Sequence, residues 1–150
     1  MQLVSLTTAL LTTALAVGSA SAQPPAPTIL NYDTLYDHPD TPLSATACSA
    51  DAGVLKGYKT FGEIPNYPHI AGSFFVEGFN SSSCGACYSL LYNRADGTQV
   101  VLSFTVVNSA SGGFISSAQG VKDLTGLDIN EFPGNALISI LNVPSIDCGF

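Results

Sequence analysis

CGACYSLLYNRADGTQVVLSFTVVN, residues Cys84–Asn108, decides the fold. Its first part, Cys84–Tyr92, mixes aromatic and aliphatic side chains and reads as a strand. Asn93–Gly97 is turn-like, and Asp96-Gly97 is a strong hairpin signal because both residues tolerate the backbone angles of a tight turn. Thr98–Asn108 then supplies Val100, Val101, Leu102, Phe104, Val106 and Val107, a near-continuous apolar run. Such a run predicts a strand covered on both faces. The stretch therefore predicts a β-hairpin at the centre of a mostly β protein.

The flanks extend this pattern. Upstream, Thr28–Tyr36, Leu43–Cys48 and Ser73–Phe79 each read as short strands. Thr60–Ile64 reads as one helical turn, stopped by Pro65. Asn80–Ser83 is a polar tip. Downstream, Gly112-Gly113 breaks the chain. Ser116–Leu124 is the best helix candidate, with Ser116 or Ser117 as cap and Gly126 as stop. Asn135–Val143 is the last core strand. The sum is five to seven short strands with one or two short helices, and closure into a barrel removes exposed edges.

Residues 1–22 differ from the rest. They are rich in Leu, Ala and Thr, carry no charged side chain, and end in Ala20-Ser21-Ala22. That small-x-small ending predicts a secretory signal peptide over 1–22, with the mature domain spanning 23–150. The lack of Lys or Arg before the apolar run is its one departure from the usual signal. The chain is thus expected to be secreted, extracellular or bound to a cell wall.

Four cysteines remain in the mature part: Cys48, Cys84, Cys87 and Cys148. An even number behind a signal peptide predicts two disulfides. A direct Cys84–Cys87 bridge would close a very small ring, which leaves two long-range pairings open. A redox role for Cys84-Gly85-Ala86-Cys87 requires a helix start at the first cysteine. The strand-like residues that follow argue against it, and secretion argues against a four-cysteine zinc site.

The charge pattern excludes more. The net charge is −7 and the chain has 4 basic residues, Lys56, Lys59, Arg94 and Lys122, which are scattered. Nucleic-acid binding needs clustered cations and is excluded. No segment after the leader is apolar enough to cross a membrane. His38 and His69 lie beside prolines, without the serine elbow of a hydrolase triad. Paired carboxylates for glycoside cleavage would come from Asp33, Asp37, Asp51, Asp96, Asp123, Asp128 and Asp147. Most of these sit in turns or caps. Asn80-Ser81-Ser82 is an N-glycosylation sequon. Tyr32, Tyr36, Tyr58 and Tyr67 lie in loop-rich segments, where a sugar ring could stack on them; the alternative, favoured for each, is that it packs in the core.

Taken together, Tyr32-Asp33 with Tyr36, Ala47-Cys48-Ser49, Thr60–Pro65, Tyr67–Gly72, Cys84–Tyr88, Asn108–Ala110, Gly112-Gly113-Phe114, Asp123–Thr125 and Cys148-Gly149 resemble the cerato-platanin family. The resemblance covers nearly all of 23–150. It implies a six-stranded double-psi β-barrel, similar to the first domain of expansins, with bridges Cys48–Cys84 and Cys87–Cys148. It also implies a secreted fungal protein that binds chitin or N-acetylglucosamine oligomers, loosens cellulose without clear hydrolysis, elicits host defence through a host receptor, and self-assembles at interfaces. No cofactor, metal or catalytic residue is implied. Three positions depart from the family pattern. Ala50 separates Cys48-Ser49 from its acid, Asp51. Asn108 replaces an acid at the end of the long strand, and Ile115 replaces an asparagine. An amide holds a hydroxyl but donates no proton as a general acid. Asp51, Tyr58, Asn108 and Phe114 are therefore the expected carbohydrate-binding residues of a non-enzymatic protein. The alternatives are a weak endoglucanase-like hydrolase and a surface-active wall protein.

Overall fold

The computed structural model describes residues 27–142 and 145–150. The expected signal peptide at 1–22 lies outside the described residues. Six strands close into one barrel: β1 (Pro27–Tyr32), β2 (Ile70–Ser73), β3 (Cys87–Asn93), β4 (Gln99–Ser109), β5 (Phe114–Ser116) and β6 (Ala136–Asn142). Around the barrel the order is β1-β5-β2-β4-β3-β6. β1–β5 and β2–β4 are parallel, and the other four pairs are antiparallel. Closure leaves no edge to pair with another chain. This is the six-stranded barrel, with two disulfides, that the resemblance implies. The bridges are Cys48–Cys84 and Cys87–Cys148.

The central hairpin forms where its sequence predicts. β3 and β4 pair from Cys87↔Thr105 to Asn93↔Gln99. The Asp96 carboxylate accepts the Thr98 N–H at 2.8 Å and closes the turn. That bond is the main reason the Asp96 carboxyl is held below its usual range, so the residue stays an anion in the turn. The expectation of two covered faces holds for half of β4. Phe104, Thr105, Val106 and Val107 are all fully buried, whereas Val101 is 51% exposed. The exposed half carries an apolar outer face: Leu91 pairs with Val101, and Leu137 and Leu141 also point outward from β6.

The helix α1 (Ala118–Thr125) forms as expected. Ser117 Oγ accepts the Gly120 N–H at 2.8 Å, and Gly126, at φ 80°, ends the helix. Val121 and Leu124 are buried, and Gly120 lies so close to the Phe104 ring that no larger side chain fits there.

Three strand expectations are corrected. Leu43–Cys48 is not a strand: Leu43–Ala45 is a 3-10 turn. Pro42 supplies no N–H for a ladder, and the Thr46 hydroxyl bonds the Leu43 and Cys48 carbonyls instead. Ser73–Phe79 is also not a strand. The strand ends at Ser73, whose Oγ accepts the Phe75 N–H, and the apolar signal belongs to an aromatic cluster. β1 stops at Tyr32 because Asp33 caps a 3-10 turn over Thr34–Asp37. The helical turn expected near Thr60–Ile64 is present as Phe61–Glu63.

Candidate functional site

At one end of the barrel, the loops after residue 46 and before residue 87 are joined by the Cys48–Cys84 bridge. Asn108, near the C-terminal end of β4, holds them to the barrel. Its Oδ1 accepts the Ala47 and Ser109 N–H groups, each at 2.9 Å. Its Nδ2 donates to the Tyr36 hydroxyl at 3.3 Å. The Ala47 carbonyl in turn accepts the Asn80 N–H at 2.7 Å, and Asn80 Oδ1 accepts the Ser49 N–H at 2.9 Å. From Ser49 the loop closes on itself: Ser49 Oγ accepts from Asp51 N, the Ala50 carbonyl from Gly57 N, and the Leu55 carbonyl from Tyr58 N.

Asn108 and the loop bearing Asp51 are therefore one hydrogen-bonded unit. The Asp51 side chain is exposed at its surface. Tyr58 is half-buried and meets the Phe150 ring edge-on at 5.8 Å. Asn108 itself is largely taken up by the scaffold. Its oxygen is used twice and one amide hydrogen goes to Tyr36, so its role is to position Ala47 rather than to face solvent.

Phe114 is different. It is fully buried and packs edge-on against Phe74, Phe75 and Tyr88. It offers no face to a sugar, and its expected place among the carbohydrate-binding residues is corrected. Placement in β5, between β1 and β2, turns its ring into the core. Tyr36 takes the core-packing alternative: it is 3% exposed and stacked on Phe61. Sequence reasoning passed over the exposed aromatics Phe74 and Phe79, which are 40% and 72% exposed. Gly78-Phe79-Asn80 carries a signal for Phe79, since an aromatic in a polar loop tip has little core to enter.

The carboxylates are mostly occupied elsewhere. Asp33 caps a turn, Asp37 accepts the Ala118 N–H, Asp123 pairs with His69 at 2.9 Å, and Asp128 pairs with Lys122. His69 thus packs against α1 rather than activating a serine. No group of three or more metal-type ligands occurs among the described residues. No helix among them is long and apolar enough to cross a membrane.

Burial pushes the Tyr36 phenol above its usual value, outweighing the lowering effect of the Asn108 bond. The unfolded chain ionises this group near pH 10, while the folded chain keeps the proton to higher pH. Between those values the folded state binds more protons, so stability falls as pH rises. Tyr67 and Tyr88 shift the same way. Tyr36→Phe is expected to cost about 1 kcal/mol at neutral pH, because the Asn108 donor loses its acceptor. It is also expected to make the alkaline loss shallower. Urea midpoints from pH 7 to about pH 11 check both effects.

Comparison with known proteins gives a consistent picture. The cerato-platanin family model matches residues 28–150. The chain is 41% identical over 132 residues to the heat-stable 19 kDa antigen of Coccidioides posadasii, covering 86% of each protein. It is 31% identical over 98 residues to cerato-platanin of Ceratocystis fimbriata f. sp. platani, covering 65% of this chain and 69% of that one. The crystal structure of cerato-platanin 1 from M. perniciosa superposes with a TM-score of 0.74 at 33% identity, covering 81% of this chain and 98% of that one.

Proposed function

The chain belongs to the cerato-platanin family, and from that premise we propose that it is a secreted, non-catalytic protein that binds cell-wall polysaccharide and acts as an elicitor towards a host. The ligand is a chitin oligomer, with cellulose as a second polymer. The observation that carries this reading is the hydrogen-bonded unit from Asn108 through Ala47 and Asn80 to Ser49. Together with the Cys48–Cys84 bridge, it holds the exposed Asp51 carboxylate on a fixed loop, so little ordering entropy is left for a ligand to overcome. Tyr58 and the exposed Phe79 supply apolar rings in the same loop system.

The chemistry supports binding over hydrolysis. Glycoside cleavage needs a proton-donating acid and a second carboxylate. Asn108 stands where the related barrels keep an acid, and its amide is already bonded to Ala47, Ser109 and Tyr36. A relative known as an antigen is a protein that antibodies meet, which suits an extracellular location.

The outer apolar face at Leu91, Val101, Leu137 and Leu141 favours a second reading, a surface-active wall protein. One pair of variants separates the two. Asp51→Ala is expected to weaken binding of an N-acetylglucosamine oligomer at least about tenfold in calorimetric titration, the loss of one charge-assisted hydrogen bond. It should leave film formation at an air–water surface unchanged, whereas Leu137→Lys should impair the film and spare the titration. An absence of heat at millimolar oligomer would remove the sugar-binding reading. Reducing sugar released from cellulose above a blank would restore the hydrolase.

A further inference from the structure

We propose that Asn80 is the acceptor of an N-linked glycan, and that this glycan covers the loop Ser49–Tyr58. The sequon Asn80-Ser81-Ser82 is necessary for this but says little alone. The geometry supplies the rest. Asn80 is exposed, at the tip before Cys84, with φ 51°. Asparagine is among the few residues that adopt this left-handed conformation readily. The Asn80 carboxamide is divided in its use. Oδ1 accepts the Ser49 N–H at 2.9 Å, which fixes the amide plane and leaves the Nδ2 hydrogens for other chemistry.

A sugar on Nδ2 leaves Oδ1 an acceptor, so modification keeps the bond to Ser49 and the fold tolerates it. In the transfer, Nδ2 attacks the anomeric carbon of a lipid-pyrophosphate oligosaccharide. The carbon–oxygen bond to pyrophosphate breaks, the lipid pyrophosphate leaves with the electron pair, and one amide proton passes to the transferase.

The covering effect follows from the same contact. Nδ2 shares its carbon with Oδ1, so the first sugar starts beside Ser49, two residues from Asp51. Phe79, 72% exposed, immediately precedes the attachment point. The glycan therefore screens an exposed aromatic and the loop surface assigned above to carbohydrate binding. The modification does not depend on that assignment.

The test uses the full chain secreted from a glycosylating eukaryotic host, compared with Ser82→Ala. That variant removes the sequon at an exposed position and leaves the Asn80–Ser49 bond intact. Intact mass is expected to show whole hexose and N-acetylhexosamine units on the native sequence, lost in Ser82→Ala and in Asn80→Gln. A native chain at its bare polypeptide mass overturns the modification. Carbodiimide labelling then reads the cover. Labelling of Asp51 is expected to be severalfold slower in the glycosylated chain than in Ser82→Ala, while Asp96 in the β3–β4 turn reacts equally in both. Equal labelling of Asp51 overturns the cover. Neither readout involves a sugar ligand, so failure of the binding reading leaves both intact.

Discussion

Replacing Gly113 with alanine is expected to lower folding stability by at least about 4 kcal/mol, among the largest effects of any single substitution. Gly113 precedes β5 with φ +66°, where an L side chain is strained by roughly 1–2 kcal/mol. Steric overlap costs more than this strain. A Cβ there would lie 2.1 Å from the Ile29 carbonyl oxygen and 2.6 Å from the Ile29 side chain. The obstruction is backbone, so no rotamer relieves it. Strand β1 must retreat, and with it the parallel pairing of Leu30 with Phe114. Phe114 is fully buried, so its packing is lost as well. Gly112, one residue earlier, faces open space where a Cβ would stand. Gly112→Ala is expected to stay within about 0.5 kcal/mol of the parent. Denaturant midpoints for the pair, at unchanged slope, read the difference.

The same region shows what the sequence makes legible. The β3–β4 hairpin and α1 are local objects. Asp96 bonds Thr98 two residues on, and Ser117 bonds Gly120 three residues on, so the cause lies beside its effect in the chain. β5 is three residues long and exists only because β1 and β2 flank it. Nothing within Gly112-Gly113-Phe114 announces that pairing, so Phe114 reads as a loop aromatic when it is core. Core packing is the expected reading of Tyr36, but its partners are not legible, since Phe61 and Asn108 are both distant in sequence.

The candidate site was legible in part. Its bridges and Asn108 were readable through resemblance, because those residues recur in a recognisable order. The wiring was not. That Asn80 Oδ1 would hold Ser49, or that Asn108 would spend its amide on Ala47, depends on contacts spanning 31 and 61 residues. The bonding role of neither asparagine is visible until the barrel brings the loops together. The departure at 108 then acquires a structural meaning. The amide both accepts from Ala47 and donates to Tyr36, two opposite roles that an ionised carboxylate cannot combine.

Removing the Cys48–Cys84 bridge by a double serine substitution is expected to lower stability by about 4 kcal/mol and to abolish oligosaccharide binding. The stability loss follows from the 36-residue separation, which restrains the unfolded chain by that amount in the loop-entropy model. The binding loss follows from what else holds the loop. Ala47 and Ser49, on either side of Cys48, are each held by one asparagine side chain. Two such bonds contribute about 1 kcal/mol each. Ordering each loop residue costs roughly 1–2 kcal/mol of backbone entropy. The two side-chain bonds alone therefore do not fix the segment around Cys48 from which the Asp51 loop departs. The Cys87–Cys148 bridge provides the control. Its 61-residue separation gives a stability loss of similar size, about 4 kcal/mol. It ties the start of β3 to the C-terminal turn over Ser145–Cys148 and takes no part in the Asn80–Ser49 contact. Its double serine variant, measured where it remains folded, is expected to bind only a few-fold more weakly, as Tyr58 loses the edge contact with Phe150. Equal loss of binding in the two variants, with both folded by circular dichroism, would move the site from the Asp51 loop to the C-terminal turn.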